Sequence, residues 1–176
     1  MSRWKSWRPS ERNELYMTEQ ATTTAAEFGP KDYAIIAARA ADEKKATDII
    51  VQYVGEIISV TEYFVIVTAS NSRQVGAIVE AIEEAERLQA NLKPLHREET
   101  RDGSWELLDY GSVVVHVFQP ETREYYRLEA LWNDAPVMDL VTEAGITDAV
   151  YSDRIAAMLG ERQSAAQPDD GANEEG

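Results

Sequence analysis

The chain has no cysteine. A disulfide framework, a thiolate zinc site and a cysteine nucleophile are excluded on that ground. The absence also suits a reducing compartment. Histidine is nearly as scarce, with His96 and His116 the only two, too few for a multi-histidine metal centre. No stretch approaches the roughly 18 uninterrupted apolar residues of a membrane helix. Arg3, Lys5, Arg8 and Arg12 crowd the N-terminus, but no apolar run follows them, so a secretory signal is not expected and a cytoplasmic protein is. The nine glycines are scattered and form neither a P-loop nor a dinucleotide fingerprint. No G-x-S-x-G elbow occurs either. Positive charge is in deficit, with 17 basic residues against 32 acidic ones and a net charge of -15. Such a surface repels phosphate and argues against general nucleic-acid binding; it favours a basic partner.

What is present is 176 residues, 44% of them apolar, enough for one globular domain with tails. Residues 1–29 read as a disordered N-terminal extension. Trp4 and Trp7 stand there without periodicity, and Met17 opens a polar stretch. Residues 1–16 therefore read either as an over-extended reading frame, with translation starting at Met17, or as a real arm. Residues 30–138 form the expected domain. Residues 139–176 read as a C-terminal extension: a short helix with Ile155, Met158 and Leu159 on one side, then an acidic tail too poor in apolar groups to order itself.

Local patterns give the element order. Asp32 to Lys45 is alanine-rich, without glycine or proline, and predicts a helix. Asp48 to Val54 is β-branched and predicts a strand, with Ile57, Ile58 and Val60 extending it or forming a second piece. Tyr63 to Thr68 is apolar at successive positions, the mark of a central strand covered on both faces. Val75, Ile78, Val79, Ile82 and Leu88 then follow helical spacing, with Glu80, Glu83, Glu84 and Glu86 toward solvent. Asn71 suits the N-cap, and Gln74 could complete a capping box. A meander follows: strands over 95–99, 105–109 and 113–118, with turns at Asp102-Gly103 and Tyr110-Gly111-Ser112. Val113 to Phe118 reads as a second strand buried on both faces. Pro120 opens a last helix, with Tyr125, Leu128, Leu131 and Trp132 on one side. The expected fold is α+β: a mixed sheet of about five strands flanked by helices.

Candidate chemistry is sparse. Ser70 and Ser72 precede a helix, where capping explains them better than nucleophilic or phosphate-binding roles. Glu106 and Asp109 are three apart on a strand and so point to opposite faces; no D-x-D pair occurs in the chain. His116 sits mid-strand and reads as a hydrogen-bonded structural histidine. Trp105, Tyr110 and Trp132 lie at element edges, where they serve equally as core or as anchors of a protein-binding patch.

Three blocks of the sequence resemble one family. Asp48-Ile49-Ile50 with Thr61-Glu62-Tyr63-Phe64-Val65-Ile66-Val67-Thr68-Ala69-Ser70-Asn71-Ser72-Arg73-Gln74-Val75 is the first. The second runs from Trp105 through Asp109-Tyr110-Gly111-Ser112 to Phe118, and the third from Arg123 to Trp132. Together they resemble the ribosomal silencing factor (Iojap) family over about residues 32–138. Ala69 and Ser112 depart from it, where many relatives have glycine and an acid. The resemblance implies a nucleotidyltransferase-like fold without catalysis, cofactor or metal. It implies binding to the large ribosomal subunit through large-subunit ribosomal protein number fourteen. The consequence would be a steric block to small-subunit joining and repressed translation, chiefly under nutrient limitation. It allows a homodimer when free, and implies no membrane and no specific nucleic acid as partner. Expected contact residues are Trp105, Leu107, Asp109, Tyr110 and Gly111, with Arg73 and Glu129 near the rim. Two alternatives stay open: a nucleotidyltransferase-like enzyme needing magnesium near Ser70 to Arg73, and an acidic interaction module with a non-ribosomal partner.

Overall fold

A computed structural model describes residues 28–166. The expected N-terminal extension up to residue 27, with the choice between Met1 and Met17, and the acidic residues 167–176 lie outside the described residues. Eleven elements follow one another: α1 (Pro30–Glu43), β1 (Thr47–Tyr53), β2 (Tyr63–Thr68), α2 (Ser72–Ala90), β3 (His96–Glu99), β4 (Trp105–Asp109), β5 (Val113–Phe118), α3 (Pro120–Tyr126), α4 (Leu128–Leu131), α5 (Leu140–Ala144) and α6 (Asp153–Ala166). The strands form one sheet in the order β1-β2-β5-β4-β3. Only the β2–β5 pair is parallel, and α2 lies in the connection between them. The expected α+β fold with a mixed five-stranded sheet is the observed one.

Alternation along the strands sends one set of side chains under α1 and α2 and the other to the opposite face. Val51, Val65, Val67, Leu108, Val113, Val115 and Val117 belong to the first set and form the main core with both helices. The alanine face of α1 (Ala34, Ala37, Ala38, Ala41) is fully buried; side chains this small let the helix axis approach the sheet and α2 closely. Asn71 caps α2, its Oδ1 accepting from Gln74 N at 2.8 Å. Gln74 does not return the bond to Asn71. Its Oε1 accepts from Ser70 N at 2.6 Å, and its Nε2 donates to Lys44 O at 3.0 Å, which ties the helix start to the turn after α1.

Four expectations need correction. Residues 57–60 are not strand: the amides of Ile57 and Ile58 both donate to Val54 O, a tight turn that leaves Val60 79% exposed. On α2, Leu88 is exposed and Glu86 is fully buried. The stripe through Val75, Ile78, Val79 and Ile82 continues four residues on, to Glu86; Leu88 falls well off it. The helix after Pro120 is broken at Arg127, whose φ of 46° is left-handed. Tyr125 and Leu131 therefore point outward, 81% and 69% exposed. Lastly, β2 and β5 are not wholly covered on their second face, because α3 and α4 are too short to span it: Phe64 and Val114 stay half-buried.

The segment after α4 closes the outer edge of β1. Tyr53 N donates to Pro136 O at 2.9 Å, Met138 N to Val51 O at 2.8 Å and Asp48 N to Val150 O at 2.9 Å. Every residue of β3, at the other edge, is exposed.

Candidate partner-binding face

The half-covered face of the sheet gathers an apolar surface from sequence-distant strands. Register places Phe64 beside Val114, Val114 beside Asp109, His116 beside Leu107 and Phe118 beside Trp105. Phe64, Val114, Leu107 and Trp105 are each half-buried. Tyr126 of α3 packs on Trp105 with ring centroids 4.8 Å apart, and Trp132, following α4, lies 6.0 Å from Phe64. These rings frame a surface of aromatic and aliphatic groups too wet to be core and too apolar to be ordinary surface.

His116 fixes the centre of this face. Trp105 Nε1 donates to His116 Nδ1 at 3.2 Å. An indole N–H can only donate, so Nδ1 is an acceptor and the ring is neutral. Burial, and then the nearby Arg123 charge, push the imidazole down to about 4. The expected structural, hydrogen-bonded histidine is what the structure contains. The ring also packs edge-on to Phe64 at 5.6 Å and stacks with Phe118 at 6.0 Å.

Of the expected contact residues, Trp105, Leu107 and Asp109 share this face by strand alternation, while Glu106 points the other way. Asp109 Oδ1 accepts from Gly111 N at 2.7 Å, shaping a turn in which Gly111 has φ 82°. Gly111 is half-buried at the far end of β4. Arg73 is exposed in the first turn of α2, the helix on the opposite side of the sheet, and so is not on this face; it lies near the other end of β4. There the β3–β4 turn abuts α2 so closely that a Cβ on Gly103 would sit 3.0 Å from Ser72 Cβ. Tyr110 and Glu129 are not on the face. Tyr110 continues the alternation of Glu106 and Leu108, so its ring enters the core under α2, 5% exposed. Glu129 is fully buried beneath α4, where Arg123 Nε donates to Oε2 at 3.2 Å and Arg154 Nη2 to Oε1 at 2.6 Å. Phe64, Val114 and Tyr126 were missed as surface groups. No local signal marked them, because what leaves them uncovered is the break of the covering helix at Arg127.

The polar chemistry beneath the face is structural. Arg123, buried, donates from Nη1 to Asp48 O at 2.8 Å and to Thr68 Oγ1 at 3.0 Å. Gln52 Nε2, equally buried, donates to Glu129 O at 2.9 Å and pins α4 to the sheet. The carboxylate of Glu129 is thus occupied by arginines rather than open to a cation. Among the described residues no group of three or more His, Asp or Glu side chains is placed to hold a metal ion. No described helix is long and apolar enough to cross a membrane.

Comparison with known proteins adds the remaining finding. The model of a family described as ribosomal silencing factor during starvation, RsfS, matches residues 28–168. The ribosomal silencing factor RsfS of Bacillus subtilis is 42% identical over 106 residues, 60% of this chain and 88% of that protein. The chloroplastic Iojap protein of Zea mays is 37% identical over 108 residues, 61% of this chain and 46% of that one. A crystal structure of a Chromobacterium violaceum protein superposes with a TM-score of 0.57 at 30% identity, covering 60% of this chain and 87% of that one. A Bacillus halodurans structure gives 0.52 at 32% identity, covering 60% and 94%. The family match takes in α5 and α6, beyond the block ending near residue 138 that the sequence resemblance covered. The chain belongs to the RsfS family of ribosomal silencing factors.

Proposed function

We propose that this protein silences ribosomes by occupancy. It binds the large ribosomal subunit through large-subunit ribosomal protein number fourteen, obstructs the surface that meets the small subunit, and so represses translation, chiefly when nutrients are scarce. Family membership across residues 28–168 carries this reading. The half-covered sheet face supports it with a docking surface: Trp105, Leu107, Asp109, Phe64 and Val114 at the centre, Tyr126 and Trp132 as its aromatic rim, and Gly111 at one end. Buried aromatic anchors dominate most protein interfaces. The net charge of -15 steers the chain toward a basic ribosomal protein and away from bare ribosomal RNA. Tyr110 and Glu129 contribute from beneath, by holding β4 and α4 in place. No reaction is required of the site, and nothing beyond affinity and concentration sets its effect.

Sedimentation tests the reading. The protein should travel with free large subunits on a sucrose gradient and be absent from small subunits and from joined ribosomes. Travel with joined ribosomes would contradict it.

A further inference from the structure

The helix α6 grips the segment that carries the aromatic rim, and it does so at two places. Near its start, Arg154 donates from Nη2 to Glu129 Oε1 at 2.6 Å and from Nε to Glu124 Oε2 at 2.5 Å. Glu124 belongs to α3 and Glu129 to α4, so one guanidinium bridges both sides of the break at Arg127. Two turns further on, Arg162 Nη1 donates to Ala135 O at 2.7 Å and Nη2 to Asn133 Oδ1 at 3.1 Å. Those acceptors lie just past Trp132. The residues leading into the helix are moored to β1, with Ser152 N donating to Asp48 Oδ1 at 2.6 Å and Tyr151 OH to Ile49 O at 3.1 Å, and Ile155 in its first turn is fully buried.

The gripped segment has little order of its own. The helices α3 and α4 span seven and four residues, and neither has a side-chain hydrogen bond at its N-cap. Helices of this length do not persist in water without tertiary support. Yet they place Tyr126 against Trp105 and lead to Trp132 beside Phe64. A shift of the segment would therefore move the rim while leaving the strands where they are.

We propose that α6 is a clasp, with Arg154 and Arg162 as positioning residues that hold segment 124–135 in the binding-competent arrangement of the face. This rests on the ribosomal reading for the identity of the partner, but not for the clasp itself. The mechanism is preorganisation: a rim already in place loses less freedom on binding, and partner affinity rises without any contact from α6.

The test uses the full chain with Arg154→Gln, Arg154→Lys and Arg162→Ala, each read by amide hydrogen exchange and by co-sedimentation with purified large subunits. Arg162 contacts a backbone carbonyl and an exposed side chain, so its loss leaves no buried charge behind and keeps the fold. Exchange should quicken at least tenfold in residues 124–135 for Arg154→Gln and Arg162→Ala, while amides of β2 and β5 keep their protection. Subunit binding should weaken about tenfold and about threefold respectively. Arg154→Lys, which keeps the charge near Glu129, should recover most of both. A purely structural role would instead lower protection in the sheet together with the segment. That outcome, unchanged exchange at 124–135, or loosening of the segment with binding within twofold of the unaltered chain would each overturn the proposal. Should the unaltered chain not bind large subunits at all, the ribosomal reading fails, and so does the link to partner affinity. The exchange data alone then decide whether α6 orders the segment.

Discussion

Glu86 offers the sharpest physical prediction. It lies on the inner stripe of α2, fully buried, and neither carboxylate oxygen has a hydrogen-bond partner among the described residues. Burial raises its pKa to about 8. Between the unfolded value of 4.5 and this one, the folded protein holds a proton that the unfolded chain has released. Stability from this group is complete below pH 4.5 and is lost as pH rises toward 8. Each pH unit inside the window costs about 1.4 kcal/mol, so the loss from pH 5 to pH 8 comes to about 3.5 kcal/mol. His116 works in the opposite sense. Its folded value near 4 lies below its unfolded 6.5, so stability rises as pH climbs from 4 to 6.5 and is level thereafter. The two nearly cancel from pH 4.5 to 6.5, and above that Glu86 acts alone. Urea unfolding should therefore show the wild type losing about 1.5 kcal/mol between pH 6.5 and 8. Glu86→Gln, neutral at every pH, should lose none of this and exceed the wild type by up to about 3 kcal/mol at pH 7. A constant difference between the two proteins from pH 5 to pH 8 would show that Glu86 is ionised in the fold and would refute the reasoning.

Tyr110→Ala should cost about 3–5 kcal/mol in urea unfolding, because an aromatic ring leaves the core under α2; a cost below 1 kcal/mol would put the ring outside. Asn71→Ala should cost about 1 kcal/mol by removing the α2 cap, also read by urea. Leu107→Lys places a positive charge in the centre of the proposed face, and should weaken large-subunit binding at least tenfold while shifting the urea midpoint only slightly. Binding within twofold of wild type would move the interface elsewhere.

Much of this fold was legible because local signals agreed. The Asn71 cap, the stripe from Val75 to Ile82 and the Gly103 and Gly111 turns each fixed an element independently, and the meander followed. Sequence patterning failed where tertiary context outweighs it. Periodicity assigns Leu88 by hydrophobicity, but helical phase belongs to Glu86. The break at Arg127 was hidden because arginine is a good helix former and carries no mark of a left-handed φ. That one break turns Tyr125 and Leu131 outward and leaves Phe64 and Val114 half-covered, so the surface character of the face depends on the feature least visible beforehand. The site was legible in part. Trp105, Leu107 and Asp109 share a face by simple alternation, and the same alternation should have sent Tyr110 inward with Leu108. Glu129 could not be placed without knowing that Arg123 and Arg154, 31 residues apart, converge on it.

The most direct test of silencing by occupancy is the rate at which purified large and small subunits join, followed by light scattering with this protein in saturating amounts. The account predicts that joining slows in proportion to the fraction of large subunits occupied, and that Leu107→Lys restores it. An unchanged joining rate with large subunits fully occupied would contradict it.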